Sequence, residues 1–180
     1  ASDVYKRQGF EVTIESGAGL NSGFTDEIFK NAGAKIASDT KSTLENADIV
    51  FKIQRLMTAS DEINEISMCK KDAMVLAHMS ALSTKKDSEE YAKASLTTFA
   101  MDLMPRISRA QSMDVLSSQS NLSGYQAVIK GASNYNSAFP MMMTAAGTVA
   151  PAKVFIMGVG VAGLQAIATA KRMGAIVTAY

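Results

Sequence analysis

Three glycines, spaced Gly158-x-Gly160-x-x-Gly163, break the apolar run "VFIMGVGVAG" (154–163). Two guanidiniums, an amide, a carboxylate and a series of hydroxyls crowd "PRISRAQSMDVLSSQSNLSGY" (105–125). These are the two stretches whose residue types and spacing could do chemistry. After a strand, such glycines have separate mechanical uses. The first permits a sharp turn, and the second lets main-chain N–H groups approach a pyrophosphate. The third lets the next helix pack close to the sheet, so that a phosphate meets its positive N-terminus. The same spacing also serves a plain strand-to-helix corner, and alone it does not separate the two uses.

An acid about 20 residues after the turn would grip a ribose and settle the matter. No acidic residue follows Gly163 before Tyr180. The expectation is therefore a fragment that ends shortly before that acid. In the 105–125 stretch, Asp114 and Ser117 are three apart and share a helix face. With the two arginines and Gln111, they could bind a carboxamide, a carboxylate or a phosphate. They could equally form a solvated loop in which Asp114 complements a helix dipole.

The elements that must position these groups alternate. "FEVTIE" (10–15), "DIVFKIQ" (48–54), "AMVLAHM" (73–79) and "TTFAMDL" (97–103) read as strands. "TDEIFKNAG" (25–33), with Thr25 as N-cap and Gly33 as stop, "DEINEIS" (61–67) and "KKDSEEYAKAS" (85–95) read as helices. Strand–helix alternation means βαβ units and a mostly parallel sheet covered on both faces. Beyond Leu103, "MPRISRAQ" reads as a basic loop and 112–135 as one long or broken helix. "NSAFPMMMTAAGTVAPA" reads as a loop. A second unit then runs strand ("AKVFIM"), glycine turn, helix ("AGLQAIATAKRM") and strand ("AIVTAY"). The expected boundary divides 1–120 from 121–180.

Composition narrows the function classes. The formal net charge of +1 gives no reason to expect nucleic acid as a partner. One cysteine, Cys69, excludes an internal disulfide framework. Every acidic residue lies at or before Asp114. The uncharged run 154–170 carries three glycines and Gln165, and is shorter than the roughly 20 apolar residues that span a bilayer. A buried strand and helix explain it better.

The stretch "MDLMPRISRAQSMDVLSSQSNLSGYQAV", with "FPMMMTAAGTVAPAKV" and "MGVGVAGLQAIATAKRMGAIVTA", resembles the NAD(H)-binding domain of the α subunit in the proton-translocating NAD(P) transhydrogenase family. The likeness covers residues 9–180 and is densest from Thr97; residues 1–8 match nothing. It implies an α/β chain of two Rossmann-like units joined by a long helix. The first unit would lack the family's first strand and helix, and the second would be incomplete. It implies NAD(H) on this chain and NADP(H) on a partner domain. It further implies a membrane domain that translocates protons, a homodimer, and a peripheral place on the cytoplasmic side of the inner (plasma) membrane.

By motif position the resemblance sets Arg106, Gln111 and Asp114 towards the nicotinamide, with Ser117 helping to hold the carboxamide. Ile107 and Ser108 belong to the same loop. Gly158, Gly160, Val161, Ala162 and Gly163 form the nucleotide turn. Gln111 would lie between the two nicotinamides as the catalytic residue. Hydride transfer between nicotinamides moves no separate proton, so such a site needs alignment rather than an acid or base.

Alanine dehydrogenases, relatives with the same architecture, use a histidine near His78 and a lysine where this chain has Gln54, two residues after Lys52. They also lack the "RISRAQSMD" loop. An amino-acid dehydrogenase of that type is one alternative function, and a non-catalytic NAD-binding module is another. Cys69 has no nearby ligand or base, and no metal site is expected. Met141, Met142 and Met143 read as packing beneath a loop, and Tyr125 as core or as a flank of the nucleotide.

Overall fold

The computed structural model describes residues 2–180, which divide into two compact units, the first ending at Leu103 and the second running Met104–Tyr180. The first unit runs α1 (Ser2–Arg7), β1 (Thr13–Glu15), α2 (Asp26–Asn31), β2 (Lys35–Ala37), α3 (Thr40–Leu44), β3 (Ile49–Gln54), β4 (Met74–His78), α4 (Lys85–Lys93) and β5 (Thr97–Ala100). β1 and β2 pair in parallel. β3, β4 and β5 form a second parallel sheet with β4 in the middle. One face of that sheet carries Val50, Val75 and Ala77 into a core with Leu44, Leu56, Met79, Tyr91 and Leu96. Alternation places Phe51 on the other face, where the Tyr5 ring stacks on it at 5.3 Å.

The helix expected over 61–67 is reduced to a 3-10 turn, Ile66–Met68. Side chains claim the main chain there. Asp61 accepts the Thr58 N–H and a fork of two bonds from Arg55, which also pairs with Asp87. The Glu65 carboxylate, almost wholly buried, accepts from Lys52 and from the Met57 N–H. The strand expected to reach 103 stops at Ala100. A 3-10 turn over Met101–Leu103 follows, in which Asp102 receives the N–H groups of Met79 (2.7 Å) and Ala81 (3.1 Å).

The second unit runs α5 (Val115–Asn134), β6 (Met142–Thr144), β7 (Gly147–Val149), β8 (Lys153–Ile156), α6 (Val161–Arg172) and β9 (Ile176–Ala179). The stretch expected as a loop over 136–152 contains an antiparallel hairpin, β6–β7. Its turn has no Asn-Gly or Asp-Gly signal. Thr144 closes it instead, donating its hydroxyl to the Gly147 carbonyl and accepting the Ala146 N–H. The long helix is unbroken, and begins at Val115 because Asp114 caps it. Val128 of α5 packs on Ala166 and Ala170 of α6, with Val154, Ile156 and Val177 of the β8–β9 pair partly buried against them. This packing groups α5 with the second unit and sets the division at 103/104, earlier than the 120/121 expected from sequence.

Candidate functional site

β8 and β9 pair in parallel, Val154 opposite Val177, and the chain leaves β8 through Met157 into the glycine turn. Gly158 takes φ 93°, a left-handed conformation that side chains disfavour. Its N–H donates to the Tyr180 carbonyl at 2.7 Å, which ties the turn to the end of β9. A Cβ on Gly163 would sit 1.9 Å from the Gly158 oxygen, so the third glycine lets the helix start against the turn.

Gly160 differs from both. Its backbone is extended (φ −73°, ψ −168°), open to any residue, and a Cβ there would meet no atom within 4 Å. Nothing inside the chain requires a glycine at this position. Gly160 also caps α6 without a side-chain acceptor, so the first N–H groups of that helix have none from a cap.

Across from the turn, Asp114 caps α5. One carboxylate oxygen accepts the Ser117 N–H (2.9 Å) and the other the Ser117 hydroxyl (2.6 Å). Those two bonds, the side-chain one foremost, hold the Asp114 carboxyl below its ordinary range, helped by the Arg106 charge. α5 meets α6 at Gly124, where a Cβ would lie 2.1 Å from the Ala162 carbonyl oxygen. Beside it, Asn121 donates to Gln165 at 3.2 Å.

Turn, helix and loop enclose a cavity of about 340 Å³. Among the residues singled out from sequence, Arg106, Ser117, Gly158, Gly160, Val161, Ala162 and Gly163 line it. Asp114 stands behind Ser117. Ile107, Ser108 and Gln111 do not line the wall: Ile107 caps the 3-10 segment Ser108–Met113 and the other two lie on it, all three exposed, with only Ala110 buried as its anchor. Leu116, Ser120 and Met157 complete the lining, and sequence reasoning did not single them out. Helical spacing from Ser117 was a signal available for Ser120, and adjacency to Gly158 for Met157.

The cavity offers main-chain donors, one guanidinium and hydroxyls around an open floor at Gly160. That donor set suits an anionic, hydroxyl-bearing ligand, and it contains no acid or base aimed into the space. Tyr125 is half exposed on α5 and is not part of the lining. Met141 and Met143 are largely exposed on the hairpin rather than packed beneath a loop, because β6 and β7 cover only each other.

In the first unit, Gln54 lies opposite His78 across the β3–β4 pair, and both line a second cavity of about 330 Å³ with Arg55, Ser80 and Thr84. Arg55 is already engaged by Asp61 and Asp87. Cys69 is half-buried, donates to the Glu65 carbonyl, and burial pushes its thiol above the usual range. Among the described residues no group of three or more His, Cys, Asp or Glu side chains could hold a metal, and no helix is long and apolar enough to cross a membrane.

Two family models match. The N-terminal domain of "Alanine dehydrogenase/PNT" covers residues 3–123, and its C-terminal domain covers 127–180. Among curated relatives, the first of the separately encoded pieces of NAD(P) transhydrogenase subunit alpha from Rhodospirillum rubrum is 57% identical over 171 residues, 95% of this chain and 44% of that protein. The crystal structure of transhydrogenase from Sinorhizobium meliloti superposes with a TM-score of 0.91 at 51% identity, over 99% of this chain and 49% of that one. An L-alanine dehydrogenase structure shares the fold, with a TM-score of 0.80 at 24% identity over 99% of this chain and 48% of that one. The chain thus spans less than half the length of the relatives it matches.

Proposed function

The chain belongs to the alanine dehydrogenase/PNT family, and from that premise we propose that it is the NAD(H)-holding part of a transhydrogenase. In this reading, hydride passes from NADH held here to NADP+ on a partner domain, coupled to proton translocation by a membrane domain. The subunit is a homodimer seated peripherally on the cytoplasmic side of the membrane. Supporting these partners is the name of the Rhodospirillum rubrum relative, one piece of one subunit, which implies further components. We place the change of domain at residues 120/121, within α5, near where the two family models give way to each other.

The observation that carries the reading is Gly160. It lines the cavity, its backbone would accept any residue, and no protein atom lies where its Cβ would be. A glycine at such a point leaves room for something from outside the chain, which in a strand–turn–helix is the pyrophosphate. NAD(H) supplies a hydride-carrying ring, and the chain's residues supply its place. Main-chain donors of the turn and the α6 N-terminus hold the phosphates. Arg106 and Ser117 hold the carboxamide end, with Asp114 fixing the Ser117 hydroxyl. Gln111, exposed on a segment pinned only by Ala110, reaches towards the partner domain and aligns the two rings.

The test is Gly160→Thr in the full-length subunit. Threonine caps a helix about as well as glycine and suits the extended backbone, so the fold and its Tm should persist. Its side chain would enter the cavity, and NADH titration should show binding reduced at least tenfold. Unchanged NADH affinity would refute this use of the turn.

A further inference from the structure

Ser117, Ser120 and Gly124 follow one another at helical spacing along one face of α5. The first is tied to the cap, its hydroxyl proton committed to Asp114. The last touches α6, its Cα closed against the Ala162 carbonyl. Ser120 lies between them and lines the same cavity as Gly160 and Ala162. Other serine hydroxyls on this helix are spent within it, Ser118 on the Val115 carbonyl and Ser133 on the Lys130 carbonyl. No described hydrogen bond uses the Ser120 hydroxyl, although the residue is half-buried.

A half-buried hydroxyl that could bond back to its own helix, but does not, is free to serve a ligand. Its level on α5 identifies which part of the ligand. Arg106 and Ser117 stand at the end of the cavity nearer the cap, and Ser120 is one turn further along, towards the contact with the glycine turn. We propose that Ser120 is a further cofactor-binding residue, donating a hydrogen bond to the pyrophosphate of the dinucleotide across from the glycine turn. The proposal rests on reading this cavity as the NAD(H) site. In effect the phosphates would be gripped from both helices: main-chain N–H groups on one side, the Ser120 hydroxyl on the other.

The experiment uses the full-length subunit and its Ser120→Ala variant, titrated with NADH and with ADP-ribose, and with adenosine by displacement of NADH. Alanine is a better helix former than serine, so the Tm should not fall. A hydrogen bond to a charged group is worth about tenfold or more in affinity. Ser120→Ala should therefore bind NADH and ADP-ribose about tenfold more weakly, and adenosine, which has no phosphate, unchanged. Wild-type affinity for NADH and ADP-ribose in the variant would overturn the proposal. So would an equal loss for adenosine, since the hydroxyl would then serve something other than phosphate. Failure of the unmutated subunit to bind NADH would instead remove the site reading itself, and this proposal with it.

Discussion

At the scale of single residues, the site is divided between groups that the chain's own packing explains and groups it does not. Asp114 is explained: it is the N-cap of α5 and the acceptor that fixes Ser117. Its role towards a ligand is thus exerted through Ser117 and through its charge beside Arg106. Asparagine caps helices as well as aspartate does, so Asp114→Asn should keep the Tm while weakening NADH binding several-fold. Equal affinity for the two proteins would show that the carboxylate serves the fold alone. Gly160 is of the other kind, as is Ser120. The glycine spacing and the Arg106–Ser117 cluster were legible in sequence because motif and neighbours are contiguous. Ser120 and Met157 were not, because what faces them is supplied by α6 and the turn, more than thirty residues away for Ser120.

At the scale of elements, Gly163 and Gly124 are the points at which secondary structures touch. Adding a methyl to either forces main chain against main chain, and overpacking of this sort costs about 1–3 kcal/mol. Gly163→Ala and Gly124→Ala should each lower the Tm, whereas Gly160→Thr should not; thermal unfolding of the three variants checks the ordering. In the first unit, the 55–65 segment is fixed by ions rather than by helix. The Arg55 hydrogen bonds hold the Asp61 carboxyl far below its usual range, with help from the Thr58 N–H. A carboxyl depressed in the folded state contributes stability above its unfolded pKa of about 3.9 and loses it as the pH falls through the folded value. The Tm gap between wild type and Asp61→Asn should therefore be widest above about pH 4 and shrink in stronger acid. A gap that does not vary with pH would mean the network is held by shape alone. Long periodic elements such as β3, β4, α5 and α6 could be read from sequence. The three-residue strands β1 and β2 and the five-residue α3 are too short to show a period, and the 61–67 helix was overruled by side-chain bonds to main chain. The β6–β7 hairpin escaped because threonine, not a glycine pair, closes its turn.

At the scale of the molecule, parallel strands are stable when both faces are covered, and here one face of the β8–β9 pair is open. Phe155 is 61% exposed and Ile176 53%. More of the subunit is needed to cover them, so the full-length protein should bind NADH at least tenfold more tightly than residues 1–180 alone. Equal affinities in a fluorescence titration would show that the two-stranded site is self-sufficient. Gln54 and the engaged Arg55 in the second cavity argue that the whole subunit is not an alanine dehydrogenase, and alanine with NAD+ should yield no NADH. The central claim is that the subunit holds NADH while Gln111 aligns it with NADP+ on a partner. Gln111 is exposed and outside the cavity wall, so its loss should spare binding. Stopped-flow hydride transfer with the NADP(H)-binding component, alongside equilibrium titration of NADH, tests this most directly with Gln111→Asn. Shortening the side chain by one methylene withdraws the amide from between the rings, and misplacement by about 1 Å can cost on the order of 100-fold in rate. The account predicts a rate lowered by that order with NADH affinity within about twofold of wild type, a difference under about 0.5 kcal/mol. An unchanged rate, or equal losses of rate and affinity, would contradict it.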